Sequence, residues 1–150
     1  DARKSADNGD IEFIRQFGTS DVDAATDVFA DSSEGVYVVG FTDDTLPDQT
    51  SQGGRDAFIR KYNSDGDEIW TRQFGSSELD FVGKVQGGGG ISVDSSGVYV
   101  AGNTIGTLPG QESEGDVDAF LAKLAIDDHK KKHDDDKMED HHDDDAKKKH

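Results

Sequence analysis

At 150 residues the chain has the length of one ordinary domain, and its net charge of −17 excludes partners that need clustered lysine and arginine, such as nucleic acid or an anionic membrane. The absence of cysteine excludes a disulfide framework and thiol chemistry, and no apolar run approaches the roughly 18 residues of a membrane-spanning helix. Residues 127–150 hold ten acids, seven lysines and all five histidines, which leaves 23 acids and 9 bases, a net −14, in residues 1–126. An acidic surface of that kind suits solubility, cations or salt-rich surroundings. The chain begins at Asp1 without a methionine or signal peptide, which reads as a processed form or a fragment of something longer.

Residues 1–10 are polar and read as a leader or the end of a turn. Phe13, Arg15 and Phe17 alternate with Ile14 and Gln16, the period of a strand, and Gly18 ends it. Residues 21–25 read as a loop, 26–31 as a short strand, and Ser32-Ser33-Glu34-Gly35 as a hairpin turn. Residues 36–42 are apolar at both parities, the mark of a strand buried on both faces. A loop with Pro47 and the pair Gly53-Gly54 follows, then a strand over 57–62 and a turn at Asn63-Ser64-Asp65-Gly66. The same order returns in strands over 69–74, 81–85, 91–93, 98–104 and 119–126. Gly87-Gly88-Gly89-Gly90 has no counterpart in the first pass and reads as a bulge or excursion. Residues 127–150 alternate blocks of Asp, Lys and His with almost nothing to bury, and disorder is expected there.

The repetition is literal. Arg15-Gln16-Phe17-Gly18 returns as Arg72-Gln73-Phe74-Gly75, an offset of 57. Val36-Tyr37-Val38-Val39-Gly40 returns as Val98-Tyr99-Val100-Ala101-Gly102, Thr45-Leu46-Pro47 as Thr107-Leu108-Pro109, and Asp56-Ala57-Phe58 as Asp118-Ala119-Phe120, each at an offset of 62. These motifs in this order resemble the SBBP repeat, a bacterial β-propeller repeat, over about residues 8–126. The resemblance implies four-stranded antiparallel blades around an axis and an exported, surface or secreted bacterial protein. It implies little about activity. Two blades do not close a ring, because each buries its faces on its neighbours.

Asn63, Asp65 and Asp67 place oxygen ligands at alternate positions, as calcium loops do, although Lys61 stands where such a loop needs an acid. A plain hairpin turn accounts for them as well, and so it does for the pairs Asp116 and Asp118, and Asp21 and Asp23. Asp56 and Asp118, each opening a strand, are expected to cap backbone amides. In the tail His129, His133, His141 and His142, with His150, offer imidazoles to zinc, copper or nickel among ten acids. The bland reading is a solvated polyampholyte. Histidine is absent from residues 1–126, so no Ser-His-Asp triad is available there, and neither HExxH nor GxxxxGK occurs. A carboxylate pair for glycoside hydrolysis is the one enzymatic alternative, and among 23 acids some pair lies close by chance. The recurring aromatic residues read as core between blades, not as sugar platforms.

The reading is therefore an all-β protein with two β-propeller-type blades per chain, divided as 1–10, 11–67, 68–126 and a low-complexity tail 127–150. Its expected function is that of a non-catalytic secreted or cell-surface module for self-assembly or adhesion, with no cofactor required. A calcium- or zinc-binding extracellular protein and a carboxylate-dependent glycan-active enzyme are the alternatives. Expected partners are further copies of the chain, joined head to tail in a ring or filament, with surface glycans or proteins beyond them. In that assembly the strand holding Phe13 and Phe17 lies beside the strand holding Phe120 of the next molecule.

Overall fold

In a computed structural model, which describes residues 9–33, 35–82 and 90–126, the chain forms eight strands and, among the described residues, no helix. β1 (Asp23–Asp31), β2 (Gly35–Thr42), β3 (Asp56–Tyr62) and β4 (Glu68–Phe74) make one antiparallel sheet in chain order. β5 (Asp80–Val82), β6 (Gly90–Asp94), β7 (Gly97–Thr104) and β8 (Asp118–Leu124) make a second antiparallel sheet. In it β5 and β6 lie end to end on one edge of β7 and β8 lies on the other, so four strands span the width of three.

The change of repeat offset from 57 to 62 has a local cause. β1 carries a bulge between Ala25 and Asp27, where Thr26 has no partner on β2. The second copy breaks at the matching place, between Val82 opposite Gly102 and Gly90 opposite Ala101, and residues 83–89 fall there, outside the described residues. Six additional residues enter at this point, and the following turn is shorter by one, 95–96 against 32–34. Gly87, Gly88 and Gly89, expected to form a bulge or excursion, lie outside the described residues.

The two sheets share one core. Tyr37, Val39, Ala57 and Ile59 of the first sheet and Val82, Val98 and Val100 of the second are fully buried together. Trp70, Phe74, Ile91, Phe120 and Leu124 pack around them. Full burial of each such side chain contributes about 1.5–3 kcal/mol. On the sheet's other face the N-terminal segment covers part of β3, while Val36 and Val38 of β2 stay half-buried. Phe17 meets Phe58 edge-on at 5.6 Å, and the Arg60 guanidinium lies 4.0 Å from the Phe17 ring.

Two expectations need correction. Residues 13–17 are not a strand, because no described strand lies beside them to complete a ladder. They are held by side chains, through Phe17 and through Arg15 Nε, which donates to Gly66 O at 2.6 Å. The loop expected over 21–25 is shorter, since β1 starts at Asp23. The carboxylate that makes this stretch look like a loop accepts the Thr19 amide at 2.6 Å while its backbone enters the ladder.

Candidate functional site

Where β4 crosses β3, one polar side chain gathers four parts of the first sheet. Gln73 lies opposite Phe58 and is nearly buried. Its Oε1 accepts the Leu46 amide at 2.9 Å, and its Nε2 donates to Asp44 O at 2.9 Å and to Asp56 Oδ2 at 2.8 Å. Its own amide donates to Gln49 Oε1 at 2.9 Å. The Thr-Leu-Pro loop is thereby folded down onto β4, and Leu46 is 1% exposed. The loop is built locally. Thr42 Oγ1 bonds Asp44 O, Gln49 N bonds Leu46 O, and Asp48 takes a positive φ of 62° after Pro47. Asp56 Oδ2 also accepts the Gln52 amide at 2.7 Å, so the expected capping role holds.

Beside this socket two carboxylates meet at the seam between sheets. A Cβ on Gly75 would stand 2.5 Å from Asp80 Oδ2 and 2.6 Å from Asp56 Oδ1, so only glycine fits. Asp80 is fully buried and receives Ser76 N at 2.7 Å and the Ser76 hydroxyl. Asp56 Oδ1 is buried with no hydrogen-bond partner among the described residues. Burial pushes the Asp80 carboxyl above the usual range, opposed by hydrogen bonds from Thr104 and Ser76 and assisted by the charge of Asp56. The pair is closed to solvent.

The second copy repeats this construction up to one missing part. Thr104 Oγ1 bonds Gly106 O, Gln111 N bonds Leu108 O, Gly110 has φ 74°, and Asp118 Oδ2 accepts the Glu114 amide at 2.9 Å. Among the described residues no strand lies outside β8, so no glutamine enters from one. Instead a groove of about 380 Å³ opens there, with Thr104, Leu108, Gln111, Asp118 and Phe120 among its walls. The difference in burial is large for strands that share Asp-Ala-Phe and a lysine at matched positions. All seven residues of β3 are buried, whereas β8 alternates between half-buried and exposed, with Leu121 71% exposed against 0% for its counterpart Ile59.

The N-terminal segment carries the complementary half. Phe74 meets Phe120 at 6.0 Å and 86°, and the matching pair Phe17 and Phe58 meets at 5.6 Å and 85°. Thr19 N on Asp23 likewise matches Ser76 N on Asp80. Residues 13–19 therefore lie against the first sheet as β4 and its following turn lie against the second. Of the residues expected at a self-assembly contact, Phe17 and Phe120 each pack within the chain, and Phe13 is 39% exposed beside Gly66.

The expected metal residues form a turn. Asn63 Oδ1 accepts the amides of Asp65 and Asp67 at 3.0 and 2.9 Å, and Gly66 has a φ of 80°. No group of three or more His, Asp or Glu side chains fit for a metal occurs among the described residues. His129, His133, His141, His142 and His150 lie outside the described residues. No helix among the described residues is long and apolar enough to cross a membrane.

Sequence reasoning noted the Arg-Gln-Phe-Gly motif but gave Gln73 no role and missed Asp80. The signal was present, because Gln16 and Gln73, and Asp23 and Asp80, share the offset of 57. No family model and no curated protein matches the chain.

Proposed function

We propose that the chain is a non-catalytic self-assembly module whose two sheets are consecutive propeller-type blades, as the SBBP resemblance implies. Copies join head to tail. The observation that carries this reading is the exposed flank of β8, which repeats the Asp-Ala-Phe start of β3 but lacks the cover β3 receives. In one chain the Tyr37, Val39, Ala57 and Ile59 face of the first blade packs on Val82, Val98 and Val100 of the second. The second blade offers the matching face through Tyr99, Ala101, Ala119 and Leu121, and the first blade offers the matching acceptor through Ala25, Val36 and Val38. Repeating the internal junction between molecules gives a heterologous contact, which closes into a ring or extends as a filament. About three or four chains would give the six to eight blades of a common propeller. Export to the cell exterior or surface belongs to the same proposal.

Light scattering at micromolar concentration tests it. Masses at multiples of 16.2 kDa are expected for the native chain. Leu121→Asp, at an exposed position, is expected to reduce the mass to that of a monomer without lowering the unfolding midpoint. A native chain that is already a folded monomer contradicts the proposal, as does a Leu121→Asp variant that assembles normally.

A further inference from the structure

The open groove beside β8 has a shape that the chain itself shows how to fill. In the first sheet the groove's counterpart holds the Gln73 amide between Leu46 N, Asp44 O and Asp56 Oδ2. The corresponding groups of the second sheet are Leu108 N, Gly106 O and Asp118, set by the same Thr-to-loop, loop-closing and Asp-capping hydrogen bonds. An occupant must therefore be an extended segment with a glutamine followed by an aromatic residue, presented along the free edge of β8. Residues 127–150 contain neither glutamine nor phenylalanine, so they do not supply it. Residues 11–19 do. They pair with no strand of either described sheet and are exposed at Gln16, whose side chain makes no hydrogen bond among the described residues.

We propose that the groove formed by Gly106, Leu108, Gln111 and Asp118 is a recognition socket for Gln16 of a second copy, whose residues 11–17 add to β8 as the missing outer strand. The proposal rests on the self-assembly reading and names the residue that gives the contact its register. Strand addition supplies backbone hydrogen bonds that any sequence can make, and a buried side chain supplies the choice. Glutamine fits because the socket presents a donor, the Leu108 amide, next to acceptors on Gly106 and Asp118. A primary amide satisfies both kinds at once. Glutamate in its place would lose the donor and set a charge against Asp118. A one-residue slip of the incoming strand would turn Gln16 to the other face and leave the socket unfilled.

Two measurements separate this proposal from the reading it rests on. The first is a dilution series by light scattering on the full chain. Gln16→Ala is expected to weaken association at least tenfold, and Gln16→Glu more, with both unfolding midpoints unchanged because Gln16 is exposed in its own chain. Assembly of Gln16→Ala at native concentrations would overturn the socket and leave self-assembly standing. The second uses a fluorescent peptide with the sequence of residues 11–19, titrated against the full chain, with polarisation as the readout. Saturable binding that is lost when the peptide's glutamine is replaced by alanine is expected, even from a chain that proves monomeric. Equal binding of both peptides, or binding of neither, would overturn the socket whatever the mass of the chain.

Discussion

Gln73→Ala is expected to destabilise the chain by about 2–4 kcal/mol, from roughly 1–3 kcal/mol for the Leu46 amide left without an acceptor and about 1 kcal/mol for the hydrogen bond lost at Asp56. Truncation removes the acceptor of the Leu46 amide and one of two donors to Asp56 Oδ2, which keeps the Gln52 amide at 2.7 Å. Asp44 O loses Nε2 but keeps the Thr42 hydroxyl at 3.1 Å, so it adds little. Leu46, now 1% exposed, would lose the side chain that holds its loop down. Gln73→Glu conserves the size but exchanges the donor for a charge beside Asp56, and it is expected to be no better tolerated at pH 7. The single tryptophan, Trp70, sits in the same strand and packs on Tyr37 at 6.1 Å, so its fluorescence in a urea titration reports the loss directly. A shift worth less than about 1 kcal/mol, the net worth of an ordinary hydrogen bond, would show that the socket does not hold the sheet together.

Asp80 governs the second large effect. Burial raises its carboxyl in the folded chain above the value near 3.9 of an unfolded aspartate. The folded state then binds this proton more tightly than the unfolded state. The stability that Asp80 contributes is therefore present below the unfolded value and lost as pH rises through the folded value. Asp43 acts in the opposite direction. The Arg55 guanidinium, which donates to it through Nη2 at 2.8 Å, holds its carboxyl low, and that contribution is lost in acid. Asp80→Asn keeps an acceptor for Ser76 N and removes one of two charges facing Gly75. It is expected to raise the urea midpoint at pH 7–8, leave it nearly unchanged near pH 3.5, and flatten the profile between. Asp80→Ala strips the acceptor from buried Ser76 and is expected to cost about 2–4 kcal/mol near pH 3.5 and less at pH 8, where the native carboxyl contributes less. A lower midpoint for Asp80→Asn than for the native chain at pH 8 would show that the buried charge is compensated.

The strands 36–42, 57–62 and 98–104 were legible because β2, β3 and β7 carry apolar residues where their faces are covered, and the duplicated motifs placed the turns. What the sequence did not show depends on partners distant along the chain. Residues 13–17 alternate as a strand should, but alternation records fitness to pair and not the presence of a partner. Gln73 reads as a solvent-facing polar residue of a strand, and only the loop arriving from residue 46 buries it, 27 positions away. Gly40 reads as a strand weakener, yet a Cβ there would stand within 3 Å of both Ala24 backbone and Phe58. The shared Asp-Ala-Phe start of β3 and β8 gave no hint that one would be sealed and the other open, because that difference lies in what packs beside each strand.

Cysteine pairing between separate variants tests the head-to-tail junction most directly, since the chain has no cysteine of its own. In the first sheet Arg60 lies opposite Thr71 across β3 and β4, and Arg60 Nε donates to Thr71 Oγ1 at 2.9 Å. The corresponding positions of the intermolecular junction are Ala122 and Ile14, which the repeat offsets bring face to face. Directly opposed residues of an antiparallel pair have Cβ atoms about 4.5–5.5 Å apart, close to the separation a disulfide spans. Ile14→Cys and Ala122→Cys are made as single variants, mixed in equal amounts and oxidised mildly. The account predicts a disulfide-linked heterodimer that forms in the mixture well above the background of either variant alone, and that disappears when Gln16→Ala is added to the Ile14→Cys chain. A mixture that cross-links no more than its separate components would contradict it.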